Sequence, residues 1–367
     1  MGWEVTKLGD ALQYEQPTKY IVENTKYSND FETPVLTAGK TFLLGYTNEK
    51  ENVFTDVPVI IFDDFTTAHK YVDFPFKVKS SAMKILKTDD TKYDIKFLYY
   101  RMKLIGIDKG LHKRYWISKY SQLNIPLPPL ATQQKIAAIL DEADKLRQLN
   151  KDLIAKYDAL TQSLFLDMFG DPVTNPKGWE KVKTIKHCTS IVPGRDKPKS
   201  FSGDIQWVTT ADLIHLGLTE KSKKSIGLTE CEILEVRAKL IPIGSVIMTC
   251  VGDLGIITVN KVPIIINQQL HAFQCKEELN NIFLMYNLSF QKPYMYKMAS
   301  STTVPYMNKT VSNNTPTIVP PIQLQNQFAE RVQLIEQQKQ QAQEALQKSD
   351  HLFNSLLQKA FKGELVN

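Results

Sequence analysis

The chain has 367 residues and a mass of 41.9 kDa, which is enough for two or three domains with separate cores. Hydrophobic residues make up 43% of it and charged residues 23%, so a wholly disordered or fibrous chain is excluded. The net charge is a mild +6. The longest apolar runs have four or five residues, whereas a membrane span needs about twenty. The N-terminal segment lacks the apolar stretch of a signal peptide, and we therefore expect a cytoplasmic protein.

The first long segment, 3–127, combines short apolar runs with frequent Gly, Pro, Asn and Asp, which is typical of an α+β domain. Strands are predicted at Val57–Phe62 and Phe76–Lys79.

A long helix is predicted after Pro128 and Pro129, because apolar residues then recur with a mean spacing of 3.56 residues. Gly170 and Pro172 are its predicted stop. The apolar stripe consists of Ile136, Leu140, Ala143, Leu146, Leu149, Leu153, Tyr157, Leu160, Leu164 and Met168.

A second α+β segment, 179–319, follows, with a strand predicted at Ile243–Thr249. A second long helix then continues to about Gly363, with a polar middle at 337–343. Its stripe consists of Phe328, Val332, Ile335, Ala345, Leu352, Leu356 and Ala360.

The two halves of the chain repeat each other. The sequence Gly-Trp-Glu occurs at 2–4 and again at 178–180, and 128–169 matches 320–361 at a constant offset of 192 residues. The second interior is 16 residues longer than the first. This pattern indicates an internal duplication with variable interiors and matched ends.

Each predicted helix has about 38 residues, so it would be about 57 Å long, and one apolar stripe on such a helix requires a partner. The economical partner is the helix of the other half, antiparallel, in an intramolecular coiled coil with approximate two-fold symmetry. A generic pair of bundle helices is the alternative.

Motifs for catalysis or metal binding are missing. Cys188, Cys231, Cys250 and Cys275 form no CxxC pattern, and we expect reduced thiols rather than a metal site. The sequence Gly39-Lys40-Thr41 lacks the first glycine of a P-loop, since Pro34 stands there. The sequence has no motif of the kind that methyltransferases use to hold a flipped base. It has no nuclease-like group of acids and lysine beyond what a chain with this many acids contains by chance. The sequence therefore predicts a binding protein that catalyses no reaction itself.

Basic charge is concentrated in the two interiors. Residues 77–119 carry a net charge of +8 and residues 171–322 carry +5, whereas the helices together sum to −1. Lysine and arginine neutralise phosphates, and interspersed Ser, Thr and Gln can contact base edges. We therefore expect the interiors to bind DNA, with a merely solvated basic face as the alternative for each cluster.

These features together resemble the specificity subunits of type I restriction–modification systems. The resemblance lies in the tandem order, the helix starts Pro126-Leu-Pro-Pro-Leu-Ala-Thr-Gln-Gln-Lys-Ile136 and Val319–Phe328, and the helix ends at 163–170 and 355–363. It also lies in the segments 33–40, 62–67, 241–246 and 267–269. One departure concerns the acidic residue that often precedes the glutamine at the helix start, since Thr132 and Leu324 stand there.

The resemblance implies an α+β fold in which two α/β target-recognition domains are separated by two long antiparallel helices. Each domain would recognise half of a split DNA site, and the helices would set the spacer. The implied partners are double-stranded DNA, two methyltransferase subunits and motor–nuclease subunits. S-adenosylmethionine, ATP and Mg would be bound by those partners, and no cofactor is expected in this chain.

The expected domains are a first target-recognition domain at 1–128, a first spacer helix at 129–170, a second target-recognition domain at 171–320 and a second spacer helix at 321–367. A non-catalytic scaffold that binds proteins rather than DNA is the alternative function. A self-sufficient methyltransferase or nuclease is a more remote one.

The predicted DNA-binding residues combine donor chemistry with a loop-like context. In the first domain they are Lys40, Thr66, Thr67, Lys70, Lys79, Ser80, Ser81 and Arg114. In the second domain they are Arg195, Lys197, Thr209, Thr210, Gln268, Ser300, Ser301, Thr302 and Thr303.

Overall fold

The structure is a computed structural model, and it describes residues 3–39, 41–106, 114–194, 196–300 and 303–366. The chain forms two compact units. The first unit contains residues 1–151 together with 344–367, and the second contains residues 152–343. Two forty-residue helices, α4 (Leu130–Phe169) and α9 (Ile322–Phe361), contribute to both units.

The first half of the chain begins with short strands and ends in α4. Its elements are β1 Glu4–Lys7, α1 Leu8–Ala11, β2 Gln13–Glu15, β3 Thr33–Leu36, β4 Leu43–Thr47, β5 Val59–Asp63, β6 His69–Val72, β7 Lys77–Val78, β8 Met83–Lys87, α2 Ile95–Lys103, α3 Tyr115–Ser118, β9 Asn124–Leu127 and α4 Leu130–Phe169.

The second half repeats this order with additional elements. These are β10 Glu180–Lys183, β11 Cys188–Ile191, β12 Ile205–Val208, β13 Leu218–Thr219, β14 Gly227–Leu228, α5 Glu230–Glu235, β15 Leu240–Ile241, β16 Val246–Thr249, β17 Ile257–Asn260, β18 Ile264–Ile266, β19 Leu270–Cys275, α6 Asn281–Phe290, α7 Lys292–Met298, α8 Lys309–Asn313, β20 Pro316–Val319 and α9 Ile322–Phe361.

The two units share one sheet topology. The first has the strand orders β2-β8-β5-β6 and β4-β3-β7, and the second has β11-β19-β16-β17-β13 and β14-β12-β18-β15. Each unit has an equivalent parallel pair among its mainly antiparallel strands, β3 with β7 or β12 with β18, and the second unit has one more, β13 with β17. The added strands β13 and β15 lie in the longer second interior, so the predicted duplication is present in three dimensions.

The predicted strands begin slightly later than expected. β5 begins at Val59 because Pro58 has no N–H to donate to a ladder. β16 begins at Val246, and Gly244 before it adopts a left-handed conformation with φ of +76°. The strand predicted at Phe76–Lys79 is shorter than expected, because β7 contains only Lys77 and Val78.

A buried glutamine at the start of each long helix fastens the helix to its domain. Gln133 is 1% exposed, and its Oε1 accepts the Asp94 N–H at 2.9 Å while its Nε2 donates to the carbonyls of Pro128 at 2.8 Å and Lys92 at 3.3 Å. The bond to Pro128 is buried and the other two are partly buried, so these backbone groups find partners where contact with water is reduced.

The same bonds recur in the second unit, 192 positions later. Gln325 is fully buried, and it accepts the Asn280 N–H at 2.9 Å and donates to Pro320 at 2.7 Å and to Glu278 at 3.1 Å. Thr132 and Leu324, which directly precede the glutamines, stand where the family pattern often has an acidic residue. The amide, which is present in both copies, makes the structural contacts described here.

In both units α4 and α9 run antiparallel. In the first unit Arg147 Nε lies 2.6 Å from Asp350, and Asn150 Nδ2 lies 3.4 Å from the Ser349 hydroxyl. In the second unit Lys339 Nζ lies 2.6 Å from Asp158. The numbers rise along one helix as they fall along the other, which confirms the predicted antiparallel pairing.

The predicted apolar stripe is only partly the pairing face. Ile136, Leu140 and Ala143 are buried as predicted, but Leu146 and Leu149 are 45% and 57% exposed. The middle of the stripe was therefore wrong: in the first unit Arg147 and Asn150, one position further along, face α9 instead.

In the second unit, too, part of the predicted apolar stripe is exposed. Leu153 and Leu160 are 39% and 50% exposed, whereas Thr161 and Phe165 are buried. On α9, in the first unit, Leu352 is exposed and its neighbour Phe353 is buried. Small and polar residues such as Ser349 occupy the middle of the pairing face, so periodicity alone selected the adjacent stripe.

The contacts between domain and helix differ in the two units. In the first unit they include ion pairs: Asp141 on α4 accepts hydrogen bonds from Lys96 at 2.5 Å and Tyr100 at 2.7 Å, and Lys103 lies 3.6 Å from Asp144. Burial and the bond to Asp141 raise the pKa of Tyr100. These groups are half-buried or buried, so solvent screens their attraction less than on an open surface.

In the second unit aromatic rings make this contact. The Phe165 ring centroid lies between 5.0 and 5.5 Å from four other rings, in stacked, tilted and edge-on arrangements. These rings belong to Phe169, Phe283, Phe290 and Phe328. Such pairs add about 0.5–1.5 kcal/mol each beyond the burial of their area.

We expect Gln133→Ala to lower the free energy of unfolding by about 1–3 kcal/mol, because it leaves buried backbone groups without partners. Gln325→Ala should have an effect of similar size in the second unit. Urea unfolding measures both. The matched controls are Gln134→Ala and Gln327→Ala, which alter exposed neighbours on the same helix turns and should change stability by no more than about 0.5 kcal/mol. Equal midpoints for Gln133→Ala and Gln134→Ala would contradict this role.

Candidate nucleic-acid interface

In the first unit a buried aspartate joins three loops. Asp64 is 3% exposed, and its N–H donates to the Ala82 carbonyl at 3.2 Å. Its carbonyl accepts the Tyr115 N–H at 3.1 Å, and its Oδ1 accepts the Trp116 N–H at 2.8 Å. Lys84 Nζ lies 3.7 Å from its other oxygen. This arrangement fixes the loop after β5, the loop between β7 and β8 and the start of α3 beside one another.

Most of the predicted first-domain residues lie on these three loops. We define the first loop cluster as residues 64–68, 79–82 and 114–116. Thr66, Lys79, Ser80, Ser81 and Arg114 are exposed there, and Thr67 is half-buried. Lys70 is exposed on β6, just beyond the cluster. Lys40 lies outside the described residues.

Thr67 has an unusual backbone conformation. Its φ of +62° is in the left-handed region, which is a genuine outlier for a β-branched side chain. Its N–H donates to the Asp63 carbonyl at 3.0 Å, and its own carbonyl lies 3.2 Å from His69 Nδ1. Strained residues of this kind are concentrated at functional sites, so the turn is a good candidate for ligand contact.

Many basic residues of the segment 77–119 form ion pairs within their own unit. Lys77 pairs with Glu49 at 2.7 Å and Lys84 with Asp64, and both lysines are 3% exposed. Other lysines of the segment pair with acids of their own unit, and these are Lys87, Lys92, Lys96 and Lys103. Burial excludes Lys77 and Lys84 from a DNA-facing surface, and for the other four lysines the ion pairs offset part of the charge that the sequence suggested.

In the second unit a turn after β18 joins the neighbouring loops. Gln268 Nε2 donates to the carbonyls of Gly194 at 3.1 Å and Asp196 at 3.2 Å. The Asn267 N–H donates to Val208 at 3.0 Å, and the Cys250 N–H donates to Gln269 at 2.8 Å. The loop 303–306 joins them through bonds from Gly252 to Pro305 at 3.0 Å and from Ser300 to Tyr306 at 2.9 Å.

A buried aspartate also organises this unit. Asp212 is 5% exposed and accepts from the Thr209 N–H at 2.8 Å, the Thr209 hydroxyl at 2.7 Å and the Lys223 N–H at 2.7 Å. Burial alone would raise its pKa, but the backbone bonds from Lys223 and Thr209 outweigh burial and lower the pKa. Thr209 thus has a capping role that the sequence did not show, and the lysine loop 221–224 lies beside it.

We define the second loop cluster as residues 194, 196–197, 208–212, 220–225, 237–239, 267–269, 300 and 303–306. Of the predicted residues, Lys197, Gln268, Ser300 and Thr303 are exposed there, and Thr209 and Thr210 are half-buried. Arg195, Ser301 and Thr302 lie outside the described residues.

The structure adds basic residues that the sequence reasoning missed. Lys221, Lys223 and Lys224 are exposed on the loop held by Asp212. Arg237 and Lys239 are exposed before β15, whose Leu240 pairs with Ile265 of the strand leading to Gln268. A cluster of three lysines was visible in the sequence, but only strand pairing places 237–239 beside 267–269.

Both clusters lie at the equivalent end of their sheets. In the first unit β5 ends at Asp63 opposite Met83, where β8 begins. In the second unit Thr249, the end of β16, pairs with Leu270, the start of β19. Two surfaces with hydrogen-bond donors and cations therefore occupy matching positions in the duplicated fold.

Helix α5, which ends before the cluster segment 237–239, is joined to residues 200–202 through one carboxylate. Glu232 accepts from the Ser200 hydroxyl at 2.5 Å, the Thr229 N–H at 2.8 Å and the Ser202 hydroxyl at 3.0 Å. The bond from Ser200, followed by the backbone bond from Thr229, lowers the pKa of Glu232 to about 2. The carboxylate connects the segment 200–202 with the start of the helix that ends before Arg237.

Among the described residues, no group of three or more His, Cys, Asp or Glu side chains could hold a metal ion. Cys188, Cys231, Cys250 and Cys275 form no disulfide bond. Within the described ranges, no helix has both the length and the apolar character needed to cross a bilayer.

The sequence matches a family model described as a type I restriction modification DNA specificity domain, over residues 1–157 and again over 176–348. The specificity subunit of the Escherichia coli type I restriction enzyme EcoR124I/EcoR124II is 38% identical over 285 residues, which cover 72% of this chain and 69% of that protein. The MjaVIII specificity subunit of Methanocaldococcus jannaschii is 23% identical over 368 residues, which cover 91% of this chain and 86% of that one.

Solved structures agree on the fold. A type I restriction–modification S subunit from M. genitalium superposes with a TM-score of 0.61 at 15% identity, over 98% of this chain and 96% of the other. A chain from a study of assembly and conformational transition in a type I system superposes with a TM-score of 0.55 at 18% identity, over 99% and 98%. The predicted fold class is thereby confirmed.

We expect Glu232→Gln to destabilise the second unit in a pH-dependent way. The carboxyl has a lower pKa when folded than its ordinary value of about 4.3, so its contribution is fully present above that value and is lost as the pH falls toward 2. The melting temperature of the wild type should exceed that of the variant by several degrees at pH 6, and the gap should narrow steadily to pH 3. The exposed neighbour Glu230→Gln is the control. A gap that is independent of pH would refute the assignment.

Proposed function

Because the chain belongs to the family of type I restriction–modification DNA specificity subunits, we propose that each loop cluster recognises one half of a bipartite DNA sequence. The chain is the non-catalytic component that determines the DNA sequence at which methylation and restriction take place. The observation that carries this proposal is the repetition of one topology with a donor-rich loop cluster at the same end of both sheets.

The two clusters suit direct readout of DNA. Their backbones are fixed by internal hydrogen bonds, so exposed side chains such as Ser80, Arg114 and Gln268 are held in defined places. Hydroxyl and amide groups can bond to base edges, and Lys197 or Arg114 can reach phosphates or guanine. We include Lys40, Arg195, Ser301 and Thr302 in the proposed interface on sequence grounds alone.

We assign recognition to 1–128 and 171–320, and the spacer to the helical segments 129–170 and 321–367. Antiparallel pairing of α4 with α9 within each unit supports a frame built from both helices. Because an α-helix has a fixed rise per residue, its length would set the number of unrecognised base pairs.

The proposed partners are two methyltransferase subunits and motor–nuclease subunits, in the cytoplasm. S-adenosylmethionine would be bound by the methyltransferase, and ATP and Mg by the motor–nuclease. Exposed leucines on α4 support docking of another protein: Leu146 and Leu149 in the first unit and Leu153 and Leu160 in the second are 39–57% exposed. Apolar side chains at regular helical spacing on a surface are typical of an interface.

The function is tested by expressing the chain with its cognate methyltransferase and mapping methylated adenines across the host genome. We expect one bipartite motif, and Arg114→Ala should relax only the half recognised by the first unit, because a bidentate base contact contributes about 1–3 kcal/mol of discrimination. If Arg114 contacts a phosphate instead, the dependence of binding on salt should become shallower.

The control is Lys7→Ala, an exposed lysine on β1 outside the loop cluster, which should leave both half-sites unchanged. Lack of salt-dependent DNA binding and of methylation would instead favour a protein-binding scaffold. An unchanged motif and salt dependence in Arg114→Ala would remove that residue from the interface.

The spacer role is tested by removing seven residues from each helix at facing positions, 148–154 and 343–349. One heptad keeps the helix faces nearly aligned and shortens each helix by about 10 Å, or about three base pairs. We expect both half-sites to remain while the gap between them shrinks or recognition is lost. Methylation at the original spacing would show that the helices do not set the distance.

A further inference from the structure

We propose that Arg237 is a DNA-contacting residue of the second half-site. This inference rests on the function proposed above, and it adds a residue that neither the sequence pattern nor the family comparison singles out. Three features of Arg237 support it: its backbone conformation, its position within the second loop cluster and its charge.

The backbone at Arg237 is one that favours glycine. It is the first residue after the C-terminal cap of α5, with φ of +52°. Its N–H donates to the Leu234 carbonyl at 3.2 Å, and the Ala238 N–H donates to Ile233 at 3.0 Å, which is a helix-ending motif that usually has glycine at this point. A bulky side chain here is a conformational outlier.

Few described residues share this conformation without being glycine. They are Asn52, Thr67, Asn175, Leu216, Ser225 and Arg237. Asparagine tolerates the left-handed region. Thr67, Ser225 and Arg237 all lie in the two loop clusters. A residue that destabilises its own turn and is nevertheless present points to a role for its side chain rather than for the fold.

Tight packing holds Arg237 at the cluster. Gly194 lies against the turn so closely that a Cβ there would come within 2.8 Å of the Val236 carbonyl oxygen and 2.9 Å of the Arg237 oxygen. Gln268 in turn holds the Gly194 and Asp196 carbonyls. The Arg237 backbone is thus fixed against the segment that carries Lys197.

The guanidinium has no acidic partner within the described part of the chain. The side chain is exposed, and neither Asp196 nor Glu235 forms an ion pair with it. Lys197 and Lys239 on the same cluster have the same sign of charge. A fixed set of unpaired cations attracts an external polyanion, and a guanidinium fork matches either a DNA phosphate or the O6 and N7 acceptors of guanine.

The test compares Arg237→Gly, Arg237→Ala and Arg237→Lys in the full chain with its methyltransferase, using duplexes that contain the mapped site. Arg237→Gly should raise the melting temperature by a few degrees, because it removes the left-handed strain. The same variant should weaken binding to the cognate duplex about tenfold. A purely structural residue would not couple a more stable fold to weaker binding.

Two measurements distinguish a contact of Arg237 with a base from a contact with a phosphate. Loss of discrimination at one base pair of the second half-site, which Arg237→Lys does not restore, indicates a base contact. A shallower salt dependence that Arg237→Lys largely restores, with discrimination unchanged, indicates a phosphate contact. Either result supports the proposal, and the first half-site should be unaffected in both.

The matched control is Asn52→Gly, which places glycine at another exposed left-handed position outside both clusters. It should leave DNA binding unchanged. If Arg237→Gly and Arg237→Ala bind as the wild type does, with the same motif and salt dependence, the proposal is overturned while the proposed function stands. If the wild-type complex recognises no DNA sequence, both are overturned.

Discussion

The attachment of each long helix to its domain depends on one buried primary amide. Gln133 and Gln325 each accept one backbone N–H and donate to two carbonyls at the point where a proline-rich strand becomes a helix. At each junction a side-chain amide rather than a backbone N–H donates to the proline carbonyl, that of Pro128 or Pro320. The amide has both donors and an acceptor, whereas an ionised carboxylate would lack the donors. The direction in which each helix leaves its domain is therefore set by hydrogen bonds.

The loop clusters follow a related rule. Their shape is maintained by backbone groups, by the buried acceptors Asp64 and Asp212 and by the amide of Gln268. The side chains of exposed residues such as Arg114 and Lys197 take no part in these bonds. This separation allows the exposed residues to change while the loops keep their shape.

The two copies differ most where the domain meets the helices. Ion pairs around Asp141 and Asp144 make this contact in the first unit, and a stack of phenylalanine rings around Phe165 makes it in the second. Charged contacts weaken with salt, whereas aromatic packing does not depend on it in the same way. Duplication has thus preserved the topology and the glutamine contacts but has not preserved the chemistry that holds domain and helix together.

The sequence by itself determined the duplication, the two long helices, the α+β class of the interiors and the resemblance to DNA specificity subunits. These properties follow from spacing and order, which periodicity and repeats record directly. Only the tertiary structure decided which stripe of α4 pairs, because Arg147 and Phe165 contact α9 while several leucines of the predicted stripe are exposed. It alone showed that six lysines of 77–119 pair with acids, some of them distant in sequence, and that Arg237 lies beside Gly194. The physical reason is that charge pairing and loop proximity depend on contacts between residues far apart in the chain, which no local pattern encodes.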